Sequence, residues 1–155
     1  MEKKPDKKIV LSKAKNLCSR KEKCKSEIFE SLMKWGVEKD MAEEVIADLE
    51  KEKYIDEARY AEFFTTDSYK LKHWGRVKIE YHLRMKKIPS ALIHNAFDEI
   101  IDEDEYEKIL AKLLKDKMRS VKGINTYAGK AKIIRFAQSR GFETELTLKI
   151  LDELL

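Results

Sequence analysis

Apolar residues recur at helical spacing along almost the whole chain. Val10, Ala14 and Leu17 fall at i, i+4 and i+7, with Leu11 and Cys18 beside them, which gives a first helix an apolar stripe on a basic surface. A second helix carries Ile28, Leu32 and Trp35 and should stop at Gly36, a residue suited to left-handed backbone at a helix end. Asp40 is placed to cap a third, with Met41, Ala42, Val45, Ile46 and Leu49 on its buried face. Strand signals are almost absent: no short segment alternates cleanly, and neither Asn-Gly nor Asp-Gly occurs.

The same unit then recurs. Offsets of 51 and 54 residues lay Ile28 on Ile79 on Ile133, and Val37 on Ile88 on Phe142. They also lay Val45, Ile46 and Leu49 on Ala96, Phe97 and Ile100, and on Ile150, Leu151 and Leu154. The helix ends agree in part: Gly36 and Gly141 coincide, Lys87 departs, and Pro89 suits the first turn of the following helix. Leading helices are expected over 8–22, 57–72 and 104–118, so the reading is all-α, nine helices in three tandem repeats. The units are 1–54 with a basic N-terminal tail, 55–102 and 103–155. A three-helix unit of this size is marginal alone, so neighbours should share apolar surface in an elongated array that is free to curve. A single compact bundle is the alternative.

Charge changes this picture more than composition does. Charged residues are 40% of the 155, yet the net charge is only +4. The sum hides blocks: +7 over 1–25, −6 over 40–62, +6 over 70–87, −7 over 98–107 and +6 over 115–135. No stretch approaches the roughly 20 apolar residues of a membrane span, and the N-terminus lacks the pattern of a secretion signal. Cys18 and Cys24 are too few for a disulfide scaffold. These features point to a cytoplasmic protein with no membrane association.

Two basic blocks are candidate contact surfaces. The first, Tyr69 to Lys78, holds Lys72, Trp74, Gly75, Arg76 and Lys78 and continues through Arg84, Lys86 and Lys87. Gly75 would let backbone approach a phosphate, or sit before a helix whose first amides bind one. The competing reading is a solvated helix face with Trp74 in the core. The second block, Lys115, Lys117, Arg119, Lys122, Lys130, Lys132 and Arg135, surrounds a loop from Ser120 to Gly129 that is expected to be mobile. Phosphate backbone and an acidic protein would both suit it.

Other chemistry is poorly supported. Gly123 to Ala131 superficially suggests a nucleotide loop, but the glycines are wrongly spaced and no Ser or Thr follows Lys130. The acidic run from Asp98 to Glu105 reads as a linker and helix first turn, where the dipole favours acids, or as a surface meeting a basic partner or a basic block of the same chain. His73, His82 and His94 show no metal-binding pattern, and no nucleophile elbow is present. No catalytic residue, metal or cofactor is expected.

Tyr54-Ile55-Asp56-Glu57-Ala58-Arg59-Tyr60-Ala61-Glu62-Phe63, followed after Gly75-Arg76 by Ile79 to Ile88, resembles the RecX family. Cys24 to Ile28 and Lys34 to Val37 resemble its opening helix, and the likeness extends over residues 9 to 155. Where family members often have Gly, this chain has Lys53 and Lys87. The resemblance implies tandem three-helix repeats and a non-enzymatic regulator that lodges in the groove of the RecA filament on single-stranded DNA. It implies inhibition of filament extension, ATP hydrolysis, strand exchange and co-protease activity. RecA is then the expected partner of a monomer, with single-stranded DNA inside that complex and bare-DNA binding open. In the motif, Asp56 reads as a helix cap and Tyr60 as core, with Tyr54, Ala61, Phe63 and Gly75 also structural. Arg59 fits either a neighbouring acid or a partner. The contact candidates are Arg59, Lys72, Trp74, Arg76, Lys78, Arg84 and Lys86, then Lys117, Arg119, Lys122 and Lys130. Rival readings are a general single-strand-binding helical protein and a metal-dependent nuclease using the acidic run.

Overall fold

The computed structural model describes residues 5–155, so residues 1–4 of the expected basic tail lie outside the described residues. The first triad is α1 (Lys7–Arg20), α2 (Lys25–Lys34) and α3 (Lys39–Lys51). The second is α4 (Glu57–Thr66), extended by a π-helical turn (Asp67–Leu71), then α5 (Arg76–Met85) and α6 (Ser90–Ile100). The third is α7 (Glu103–Met118), α8 (Tyr127–Ser139) and α9 (Thr144–Leu154). Among the described residues there is no strand.

Each leading helix opens on an aspartate. The side chains of Asp6, Asp56 and Asp102 accept from the amides of Lys8, Arg59 and Glu105 at 2.8, 3.0 and 2.9 Å. Each middle helix ends the same way too. Gly36, Lys87 and Gly141 all have left-handed backbone, with φ of 77°, 62° and 92°. The next amide reaches back each time: Val37 to the Leu32 carbonyl, Ile88 to Leu83 and Phe142 to Ala137, at 3.1, 3.1 and 3.0 Å. The repeat register is thus visible in the backbone as well as in the buried Ile28, Ile79 and Ile133.

Three local expectations change. Asp40 lies in the first turn of α3, and Glu38 takes the cap position. Pro89 sits at the cap of α6 rather than within its first turn. The helix expected over 57–72 divides at Thr66, because the wider π turn lets the consecutive Ser68 and Tyr69 both face inward.

Lys53 and Lys87, the two positions where family members often carry Gly, both hold left-handed backbone, at φ of 63° and 62°. A β-carbon there costs about 1–2 kcal/mol, partly offset because Gly loses more entropy on folding. Lys87→Gly is therefore expected to stabilise the protein by about 0.5–1 kcal/mol, read as a higher urea midpoint. A lower midpoint would show that the Lys87 side chain contributes more than its backbone costs.

The array exposes more surface than a compact bundle would. Its accessible surface of 10129 Å² exceeds by about a quarter the roughly 8,100 Å² of a compact monomer of its mass. The apolar interior divides unevenly. The first triad closes its own core around Val10, Ile28, Leu32, Val45 and Leu49. The second and third share one, from Tyr69 and Ile79 through Tyr106 to Phe142 and Ile150. No helix among the described residues is long and apolar enough to cross a membrane.

Candidate partner-binding surface

Two of the predicted contact arginines are committed inside the chain. Arg59 donates to Glu22 at 2.8 Å and to the carbonyls of Lys53 and Tyr54 at 3.1 and 3.3 Å, so it ties the end of α3 and the α1–α2 turn to α4. Arg76 donates to Glu143 and to Glu103, each at 2.8 Å, and its guanidinium lies 4.2 Å from the Tyr106 ring centroid. Burial opposes its charge, but the two carboxylates outweigh that and raise its pKa. Arg76 is therefore a clasp between the second and third triads, with both carboxylates engaging its guanidinium.

The amides at the start of α5 are likewise engaged within the chain rather than open to a phosphate. The amides of Gly75 and Val77 donate to the carbonyls of Arg140 and Gly141 at 2.8 and 3.0 Å, and that of Arg76 donates to the Tyr106 hydroxyl at 3.0 Å. The close backbone approach that Gly75 permits is to the third triad, whose Gly141 carbonyl stands where a β-carbon would project. Tyr106 donates in turn to Glu143. Burial first, and then this bond, push its phenol pKa up.

Asp56 caps α4, and Tyr60 and Ala61 are buried, whereas Tyr54 and Phe63, read from the motif as structural, are exposed. The acidic run splits among structural tasks: Asp102 caps α7, Glu103 holds Arg76, and Glu105 accepts from the Tyr69 hydroxyl at 3.1 Å. The alternative in which these acids meet a basic block of the same chain is the one the structure adopts at Glu103.

The remaining cations gather on two faces. On the first, Trp74 is half-buried against His82 and Phe64, with centroids 5.0 and 6.3 Å away. Lys78 and Lys72 place their ammonium groups 4.3 and 5.1 Å from its ring. Arg84 pairs with Glu80 at 2.8 Å and Lys86 with Glu27 at 3.5 Å, so Lys86 also serves the junction of the first two triads.

The second face is a groove of about 670 Å³ between the end of α7 and α8, lined by Lys117, Lys122, Lys132, Arg135 and Phe136. Lys117 lies 5.3 Å from the Phe136 ring, and Arg119 pairs with Asp116 at 3.6 Å. Among the described residues, Lys122, Lys130, Lys132 and Arg135 have no carboxylate partner. The loop expected to be mobile is tied: Thr126 donates to the Gly123 carbonyl at 2.6 Å and accepts from the Gly129 amide at 3.0 Å. Gly129 falls inside α8 with no room for a β-carbon against the Gly123 carbonyl. Lys132 and Arg135, members of the second basic block outside the shorter set of contact candidates, reach this groove together with Phe136, at i, i+3 and i+4 along α8. Tyr127, the first residue of α8, is 91% exposed.

The family descriptions of RecX's second and third three-helix domains match residues 56–96 and 103–151. A regulatory protein RecX from Acinetobacter baylyi is 32% identical over 138 residues, spanning 89% of this chain and 83% of that protein. One from Prosthecochloris aestuarii is 28% identical over 150 residues, spanning 97% and 96%. Another, from Clostridium tetani, is 29% identical over 137 residues, but there the chain spans 61% of the relative's length. A crystal structure of regulatory protein RecX superposes with a TM-score of 0.82, covering 94% of this chain and 71% of that one. RecX from Lactobacillus salivarius gives 0.75 and covers 94% and 96%. Both are 20% identical and speak for the fold alone. With two triads matched by the family's own domains and relatives spanned over most of their length, the chain belongs to the RecX family of regulatory proteins.

Proposed function

We propose that the protein restrains the RecA recombinase without catalysing a reaction. It lies along the RecA filament on single-stranded DNA and limits extension, ATP hydrolysis, strand exchange and co-protease activity. The observation that carries this reading is the groove of Lys117, Lys122, Lys132 and Arg135. Among the described residues it leaves Lys122, Lys132 and Arg135 without a carboxylate partner, whereas Arg59 and Arg76 are tied within the chain. Such a surface suits phosphate backbone or carboxylates spread along a polymer. Membership of the RecX family supports reading that polymer as RecA.

Purified protein is expected to slow RecA's DNA-dependent ATP hydrolysis below one molecule per RecA. Saturating amounts that leave hydrolysis and filament length unchanged would sink the reading. Lys122→Glu with Lys132→Glu should raise the half-suppressing concentration at least tenfold while moving stability by no more than about 0.5 kcal/mol per exposed position. Equal potency of wild type and variant would remove the groove from the mechanism.

The same groove also favours a second reading, direct binding of bare single strands. It predicts a steep salt dependence, and removing two phosphate contacts should lower the slope of log affinity against log salt by about 1.4. A flat response excludes it.

A further inference from the structure

Laid in register, the three middle helices differ on one face. In α5 that face carries Val77, Tyr81 and Met85, which are 53%, 60% and 63% exposed. Their i, i+4, i+8 spacing makes a ridge about 12 Å long. The corresponding residues are Ser26, Glu30 and Lys34 in α2, and Ala131, Arg135 and Ser139 in α8. The inward positions of the same helices match, since Ile28, Ile79 and Ile133 are all fully buried. The fold therefore does without an apolar ridge in two repeats of three, and the ridge on α5 serves something outside the fold.

Its surroundings restrict the occupant. Lys78 borders the ridge on one side and Arg84 on the other, and Lys70, Lys72 and His73 are exposed just before α5. The one acid on α5, Glu80, is held by Arg84. A second copy is disfavoured, because symmetric pairing would set Lys78 and Arg84 against their own kind. Single-stranded nucleic acid fits poorly as well. Val77 and Met85 have no π face for a base, while Trp74 packs against His82 and Phe64. What fits is a protein groove with an apolar floor for the anchors and a carboxylate rim for the flanking cations.

We propose that Val77, Tyr81 and Met85 are the anchor by which this protein grips its protein partner, seated in an apolar groove rimmed by acidic side chains. The chemistry rests on α5 alone; placing that groove on the RecA filament rests on the function proposed above. The third repeat then supplies a cation, Arg135, at the position where the second supplies its central anchor, Tyr81.

The test grafts the third repeat's residues onto the second: Val77→Ala, Tyr81→Arg and Met85→Ser, side chains the same helix position already accommodates. Tyr81→Arg alone serves as a second variant should the triple one melt early. Half-suppression of RecA's DNA-dependent ATP hydrolysis is expected to need at least tenfold more variant. Binding to a bare labelled single-stranded oligonucleotide should be unchanged or tighter, because the variant gains a positive charge. Unchanged potency on RecA overturns the proposal. Parallel loss of oligonucleotide binding overturns it in favour of a nucleic-acid surface, and a wild-type dimer that the variant splits overturns it in favour of a second copy. A wild-type protein inert towards RecA is a different result: it removes the proposed function, and the partner assignment falls with it.

Discussion

Tyr106→Ala is expected to destabilise the protein by about 3–5 kcal/mol, or roughly 6–20 °C in melting temperature for a chain of this length. The Tyr106 ring is fully buried between Tyr69 and Phe142, with centroids 6.0 and 5.1 Å away. It also forms the surface on which the Arg76 guanidinium rests. Truncation would open a cavity where the second and third triads share their core and would strand the groups bound to the hydroxyl. Tyr106→Phe separates the two contributions. It keeps the ring and should cost about 1–3 kcal/mol, because Glu143 loses a donor and the Arg76 amide loses its acceptor. A loss below about 1 kcal/mol for Tyr106→Ala would mean that these triads are held together elsewhere.

Gly75→Ala should cost about 2–3 kcal/mol for a different reason. The φ of Gly75 is −78°, which any residue accepts, so backbone conformation is not what requires glycine there. The new methyl would collide with the Gly141 carbonyl and the Phe142 nitrogen, both backbone atoms that cannot step aside singly. Gly36 is the converse control: it has positive φ but open space around it. Gly36→Ala should therefore cost only the left-handed strain less the entropy that Gly loses on folding, about 0.5–1 kcal/mol. Thermal or urea unfolding of the two variants checks the order, and a Gly36 variant as damaged as the Gly75 variant would contradict it.

The two junctions explain why these effects concentrate at one end. Between the second and third triads, apolar side chains and backbone meet directly. Between the first and second, the connection is mostly polar. Arg59 reaches Glu22, the Ser26 hydroxyl donates to the Lys86 carbonyl at 2.8 Å, and Lys86 pairs with Glu27. The buried Cys24 is the first triad's contribution to the shared core.

The helical class, the threefold repeat and the inward positions were legible in the sequence because each depends on spacing within a few residues. Ile28, Ile79 and Ile133 announce themselves by period and recurrence. The cap at Asp56 is equally local, since its side chain serves an amide three residues on. The fate of a charge was not legible. Arg76 and Lys122 look alike in the sequence, both basic and both near a glycine, yet one is gripped by two carboxylates, at the start of α7 and the cap of α9, and the other has no carboxylate partner. Glu103 and Glu143 lie 27 and 67 residues from Arg76, and no local pattern encodes that meeting.

The sequence by itself determined what each repeat is, because a three-helix unit is set by apolar period and turn residues that act over a few positions. Only the tertiary structure decided which repeats fuse, which cations are spent holding them together and which face outward. Those outcomes depend on where the elements of one triad stop against the next, a distance in space that sequence separation does not measure.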